Sequence, residues 1–204
     1  MKPFNPILGE TLQCRMNDGT EIYCEHTSHH PPVSNFYMHP KEKEYEFWGF
    51  YEFTANMSSN SMRAGQKGPN NIRFSDGQHI RYSLMDYRLG GTAYGDRTIE
   101  GTGNMVFEDL TNHVKAVIVF NTYKKSGWFR TTETGRKDEF VGVIYRTLHP
   151  IDPQESFKNH YSKNFTEIRE LSKLDKEIGE KVATLEGSWL RNIKIDGQEY
   201  WNID

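Results

Sequence analysis

Glu25 to Pro32 reads Glu-His-Thr-Ser-His-His-Pro-Pro, the densest chemical signal in the chain. Two adjacent histidines in a regular strand point to opposite faces. Pro31 pushes His30 toward an extended conformation, and neither Pro31 nor Pro32 can donate to a strand ladder. The strand must therefore end or deform here, and a deformed backbone is one way for both imidazoles to converge on one ligand. Imidazoles bind metals, shuttle protons, or donate hydrogen bonds to an anion. For a metal, His26, His29 and His30 are the local candidates. They do not form a helical i, i+4 pair, the prolines forbid a helix, and no second Cys/His cluster completes a shell. For nucleophilic catalysis Ser28 and Ser34 are close, but no Gly-x-Ser-x-Gly elbow surrounds either. The plain structural alternative is a Pro-Pro turn carrying two incidental histidines.

The opening Lys2-Pro3-Phe4-Asn5-Pro6-Ile7-Leu8-Gly9-Glu10 is the second signal. Two prolines hold the backbone extended, with Lys2 and Asn5 close by. Lysine is a flexible point charge suited to phosphate, and asparagine offers both donor and acceptor. Spacing alone does not separate this from a surface loop leading into the first hairpin.

These residues must be positioned by a chain that reads as strands, one helix, and strands again. Asp18-Gly19, Asp76-Gly77 and Asp196-Gly197 mark three hairpins, because tight turns need positive φ, which Gly supplies and Asp tolerates. Ile72 and Phe74 before the second turn, and Ile80, Tyr82 and Leu84 after it, alternate with the period of a half-buried strand. Ile193 and Ile195 precede the third turn; Tyr200 and Trp201 follow it. Tyr45 to Phe53 puts Tyr45, Phe47, Tyr51 and Phe53 on one face. Val114 to Phe120 and Phe140 to Tyr145 are shorter apolar runs that read as strands buried on both faces. Over residues 155–178, Phe157, Tyr161, Phe165, Ile168, Leu171, Leu174 and Ile178 recur at helical spacing, with Gly179 as the stop. That predicts one amphipathic helix laid on a sheet. No internal repeat or interdomain linker divides the 204 residues.

Composition narrows the classes. Aromatics make up 13% of the chain and net charge is only −3, which fits a folded protein with an aromatic-rich interior. The longest apolar run, Ala116 to Phe120, falls far short of the roughly 20 residues of a membrane-spanning helix. The N-terminus has no apolar signal-peptide core. Two cysteines, Cys14 and Cys24, make no disulfide scaffold, so a reducing compartment is expected. A pI near 6.2 without a basic block argues against nucleic acid as partner, and against a strongly polybasic membrane face.

The segments KPFNPILGET and SHHPPVSNFY together resemble the lipid-binding domain of the oxysterol-binding-protein-related proteins. EHTSHHPP is similar to that family's signature, Glu-Gln-Val-Ser-His-His-Pro-Pro, with departures at His26 and Thr27. Leu89-Gly90-Gly91-Thr92, Gly95-Asp96-Arg97, Phe107-Glu108-Asp109, Lys115 to Phe120 and Leu185-Glu186-Gly187-Ser188-Trp189 extend the resemblance over nearly the whole chain.

The resemblance implies a mainly β fold, an incomplete antiparallel β-barrel around a tunnel for one lipid. It implies non-enzymatic lipid binding and transfer between membranes without a cofactor. Phosphatidylinositol 4-phosphate is the expected ligand, exchanged for a sterol or phosphatidylserine, by a cytoplasmic protein that visits membrane surfaces and contact sites. By motif match His29 and His30 take the phosphorylated head group at the tunnel mouth, Lys2 contacts its phosphate, and Asn5 helps hold a phospholipid head group. The domain implied is longer, so residues 1–204 are expected to be part of it, without its N-terminal lid and C-terminal segment. The competing reading is a metal-dependent hydrolase using His26, His29 and His30.

Overall fold

The computed structural model describes residues 4–120, 124–126, 132–134, 137–154 and 178–203. Strands dominate them. The chain begins with β1 (Thr11–Arg15), β2 (Glu21–His29), β3 (Pro32–His39) and β4 (Tyr45–Ser58). It continues through β5 (Ser61–Lys67), β6 (Asn70–Phe74), β7 (His79–Tyr82), β8 (Asp86–Gly90) and β9 (Thr98–Thr102). Then come β10 (Asn104–Asp109), β11 (Val114–Phe120), the short pair β12 (Lys124–Ser126) and β13 (Thr132–Thr134), and β14 (Glu139–Thr147). The last three are β15 (Ile178–Ser188), β16 (Asn192–Ile195) and β17 (Gln198–Asn202).

All but β12 and β13 join one 15-stranded antiparallel sheet, in the order β1-β2-β3-β4-β6-β7-β10-β11-β14-β15-β16-β17. β5 branches from β4 and leads through β8 to β9. The branch exists because β4 is 14 residues long and serves two further partners along one edge. Tyr45 to Gly49 pair with β6, and Glu52 to Ser58 pair with β5. β1 and β17 do not pair with each other, so among the described residues the sheet is not closed.

All three Asp-Gly pairs turn hairpins, joining β1 to β2, β6 to β7 and β16 to β17. Asp196 and Gly197 both take positive φ, 47° and 79°, the two-residue turn whose twist matches its flanking strands. The two apolar runs form β11 and most of β14, with Val117 paired to Val143 and Lys115 to Tyr145.

Partners directly opposite in an antiparallel sheet share a face. One face of the sheet centre carries the apolar core: Val106, Val117, Val119, Val143 and Tyr145, packed with Val141. Burying a side chain of this size stabilises by about 1.5–3 kcal/mol. The same face holds Glu108, whose carboxylate joins the Arg81 guanidinium and the Lys115 ammonium, all three buried. On the opposite face Phe107, Ala116, Ile118 and Ile144 are only half-buried. These strands are therefore buried on one face and partly open on the other, where burial on both was expected. The predicted helix lies outside the described residues except for its last position. There Ile178 opens β15, and Gly179, the expected stop, continues it.

Candidate functional site

The histidine motif lies at the end of the β2–β3 hairpin. Along β2, Ile22, Cys24 and His26 oppose Met38, Phe36 and Ser34. The register then slips: His26 pairs with Ser34, but the next pair is Ser28 with Val33, leaving Thr27 as an extra residue. In a regular strand, residues three apart point to opposite faces. The bulge at Thr27 changes that parity and returns His29 to the side of His26. His29 pairs with Pro32, and His30 and Pro31 make the turn.

The three imidazoles come together. Ring centroids are 5.6 Å apart for His26 and His29 and 4.9 Å apart for His29 and His30, both edge to face. His26 is buried, at 5% exposure, while His29 and His30 are exposed. His26 Nδ1 lies 3.0 Å from Ser34 Oγ, and His26 Nε2 lies 3.3 Å from His29 Nδ1. Both His26 nitrogens are thus engaged inside the protein, and the two exposed rings are left for a ligand. The second nitrogen of His26 faces an imidazole, where the Ser-His-Asp template has a carboxylate. Among the described residues no group of three His, Cys, Asp or Glu is placed to hold a metal ion.

An aromatic ladder starts beside this cluster. Phe36, two residues after Ser34 on the same face, stacks on Tyr51 and packs against Phe47, each at 4.8 Å. Phe47 continues to Tyr82 at 6.4 Å, and Tyr82 to Phe107 at 5.1 Å. The rings cross β3, β4, β7 and β10. Gly49 makes room for them: a Cβ there would sit 3.0 Å from the Phe36 ring and 2.5 Å from the Pro69 carbonyl oxygen. Burial pushes the Tyr51 and Tyr82 hydroxyls up from their ordinary value, and does the same to the Cys24 thiol beside Phe36. This face is a poorly hydrated aromatic surface with cation-forming imidazoles at its end.

The N-terminal segment is tied to the same place. The Gly9 N–H donates to the His26 carbonyl at 2.8 Å, and the His26 N–H donates to the Glu10 carbonyl at 3.0 Å. Ile7 N–H donates to the Glu10 carboxylate at 2.8 Å, which folds the segment back on itself.

Solved structures share this fold. The chain is similar to the ORD of Osh3 from Saccharomyces cerevisiae in complex with PI(4)P, with a TM-score of 0.65 at 21% identity. That match covers 100% of this chain and 45% of the other. The Osh1 ORD in complex with cholesterol gives a TM-score of 0.64 at 18% identity, covering 98% and 39%. In sequence the chain is similar to oxysterol-binding protein 9 of Dictyostelium discoideum, 32% identical over 205 residues. It is also similar to human oxysterol-binding protein-related protein 8, 29% identical over 215 residues. The oxysterol-binding protein family model matches residues 1–202. The chain belongs to the oxysterol-binding protein family. It covers 99% of itself but only 44% of the Dictyostelium relative, and 20% of the human one.

Of the residues singled out from sequence, His29 and His30 are together and exposed. Asn5 is exposed on the segment anchored at His26. Lys2 lies outside the described residues. The later family-like blocks hold the scaffold. Glu108 of Phe107-Glu108-Asp109 meets Lys115 at 2.9 Å. Ser188 of the Leu185–Trp189 block donates to Asp138 at 2.6 Å. In the Leu89–Thr92 block, Gly91 at positive φ lies where a Cβ would strike the Asp96 carbonyl. What sequence reasoning missed was the Thr27 bulge and the role of Ser34 as a partner of His26. The period-two spacing of Ser34, Phe36 and Met38 puts them on one face, but their neighbours Val33 and Tyr37 are not polar, so the segment carried no clean alternation to mark it.

Proposed function

We propose that this member of the oxysterol-binding protein family is a non-enzymatic lipid-binding and lipid-transfer domain. It takes phosphatidylinositol 4-phosphate by its head group on His29 and His30, and exchanges it for a sterol or phosphatidylserine at membrane surfaces. The observation that carries this reading is the pair of exposed imidazoles at the end of a half-open aromatic face. Acyl chains or a sterol body need an apolar wall, and a phosphate leaving water needs charged donors. A protonated imidazole donates from both nitrogens, and a nearby phosphate favours that form. Support comes from the relatives: the Osh3 ORD was solved with PI(4)P, and the Osh1 ORD with cholesterol and with ergosterol. Lys2 and Asn5 are assigned as further head-group contacts on motif resemblance. Residues 1–204 are read as one part of such a domain, acting in the cytoplasm. Among the described residues no helix is long and apolar enough to cross a membrane.

The test is phosphatidylinositol 4-phosphate extraction from liposomes by the wild type and by His29→Ala/His30→Ala. Each charge-assisted hydrogen bond contributes about 1.5–3 kcal/mol, so losing two should weaken binding by roughly a hundredfold or more. Thermal unfolding should be little changed, because both rings are exposed. Unchanged affinity in the double variant would refute the assignment.

A further inference from the structure

The sheet carries a branch that the head-group site does not use. β4 runs on from Glu52, the last residue paired with β3, to Ser58, roughly 20 Å further at about 3.3 Å per residue. β5, β8 and β9 pair alongside this extension, so the four strands project past the hairpin end that holds His29 and His30. Asn60, in the turn between β4 and β5, ties that turn to the β8–β9 loop. Its carbonyl accepts from the Gly91 and Thr92 N–H groups, and its Oδ1 accepts from Ala93 N–H at 2.9 Å and Tyr94 N–H at 3.0 Å. Its Nδ2 donates to the Tyr94 carbonyl at 3.0 Å, so turn and loop form one tip.

The tip is ordered by depth. Tyr94 in the loop is 70% exposed. Next to the turn, Met57, Met62, Leu89 and Ile99 stand opposite one another in a row, with Met57 79% and Ile99 56% exposed. One position further back, on the other face, Arg63 stands directly opposite Arg88. Like charges placed so repel each other. That row continues to the buried Glu100, which meets Arg88 at 3.4 Å and Lys137 at 2.9 Å. Arg63 also acts on Asp86, whose carboxyl burial pushes up toward its neutral form. Arg97 adds a third exposed guanidinium in the same loop as Tyr94, with Asp96 beside it as the exposed carboxylate of the tip. Exposed cations therefore outnumber exposed anions around an exposed apolar row.

We propose that this tip is the membrane-docking element of the domain: Tyr94, Met57 and Ile99 enter the interface of an anionic bilayer, and Arg63, Arg88 and Arg97 meet its phosphates just behind them. A tyrosine ring with its polar end settles at the head-group level, and apolar side chains leave water there. Guanidinium groups pair with phosphate oxygens, and an anion between Arg63 and Arg88 relieves their mutual repulsion. Docking by the tip brings toward the membrane the end of the sheet that carries His29 and His30. That purpose rests on the lipid-transfer reading above; the docking itself rests on the residues of the tip.

The experiment compares wild type, Met57→Asp/Tyr94→Asp, Arg63→Ala/Arg97→Ala, and a control at the opposite end of the strands, Lys41→Ala/Lys181→Ala. All of these side chains are exposed, so the unfolding curves should coincide. Co-sedimentation with vesicles of phosphatidylcholine and phosphatidylglycerol, or of phosphatidylcholine alone, follows docking. Water-soluble dioctanoyl phosphatidylinositol 4-phosphate follows head-group capture without a membrane. Each arginine near an anionic surface strengthens binding about fivefold, so the arginine variant should lose roughly twenty-five-fold on phosphatidylglycerol vesicles, and less as salt rises. The Met57/Tyr94 variant should lose about tenfold or more on both kinds of vesicle. Every variant should bind the soluble lipid as the wild type does, and the control should match the wild type throughout. Tyr94→Trp gives a reading that needs no loss: brominated phosphatidylcholine should quench its fluorescence beyond that of the wild type. Tip variants that sediment like the wild type, a control that falls as far as they do, or no added quenching in Tyr94→Trp overturns the proposal. A wild type that docks through the tip without capturing the soluble lipid upholds the docking and refutes the lipid-transfer reading.

Discussion

Replacing Glu108 by glutamine removes one charge from the centre of the sheet, on the face opposite the histidines. The Glu108 side chain is 3% exposed, and Arg81 and Lys115 beside it are 9% and 8% exposed. One carboxylate oxygen accepts from Arg81 Nε at 2.8 Å and Nη2 at 2.5 Å; the other meets Lys115 Nζ at 2.9 Å. Arg81 is also fixed by donating through Nη1 to the Pro153 carbonyl at 2.8 Å, so it has little freedom to swing out to water. Glu108→Gln keeps the shape but leaves two cations side by side without the carboxylate they share. Breaking a buried pair costs about 3–5 kcal/mol. For a chain of this length that corresponds to a fall in Tm of about 6–20 °C. The assay is thermal and urea unfolding followed by circular dichroism. A control separates lost charge from lost packing: Arg81→Met/Glu108→Leu/Lys115→Met replaces the whole network by apolar groups and should stay close to the wild type. A loss below about 1 kcal/mol in Glu108→Gln would refute the view that this network holds β7, β10 and β11 together.

Two further outcomes follow from groups displaced from their ordinary titration. Burial pushes the Cys24 thiol up on the aromatic face, whereas Cys14 is exposed, so iodoacetamide should label Cys14 first. Loading with phosphatidylinositol 4-phosphate should slow Cys24 further and leave the exposed Cys14 alone; equal rates at both would contradict the burial of Cys24 against Phe36. The Thr184 N–H and hydroxyl, each 2.8 Å from Asp196 Oδ1, hold the Asp196 carboxyl below its usual 3.8. A lowered folded-state value means the contribution is present above about pH 3.8 and is lost as pH falls through the lower value. Asp196→Asn should therefore be less stable than the wild type at neutral pH and converge on it in acid, and a difference independent of pH would count against this.

The candidate site was legible in the sequence to the extent that its chemistry is local. Asp-Gly turns announce themselves because positive φ is a property of the residue, and all three became hairpins. Alternation told which side chains share a face, so Phe47 and Tyr51 were already together before Phe36 stacked between them. Alternation does not tell which strand lies alongside. Nothing in Tyr45 to Ser58 says that its first residues pair with β6 and its last with β5, because that choice is made by the loop around Gly68 and Pro69. The histidines show the same boundary at the scale of one residue. Pro31 and Pro32 forced the strand to end, and that much could be read. Bringing His29 to the side of His26 needed one extra residue on β2 and none on β3. Thr27 carries no signal for such a bulge, being β-branched and at ease in a regular strand. Had the register run straight through, His29 would have faced away from His26, beside Tyr23 and Glu25. The site would then hold the same residue types without the contact between His26 and His29. Its geometry thus depends on a backbone irregularity between two neighbouring strands as well as on the residues of the motif.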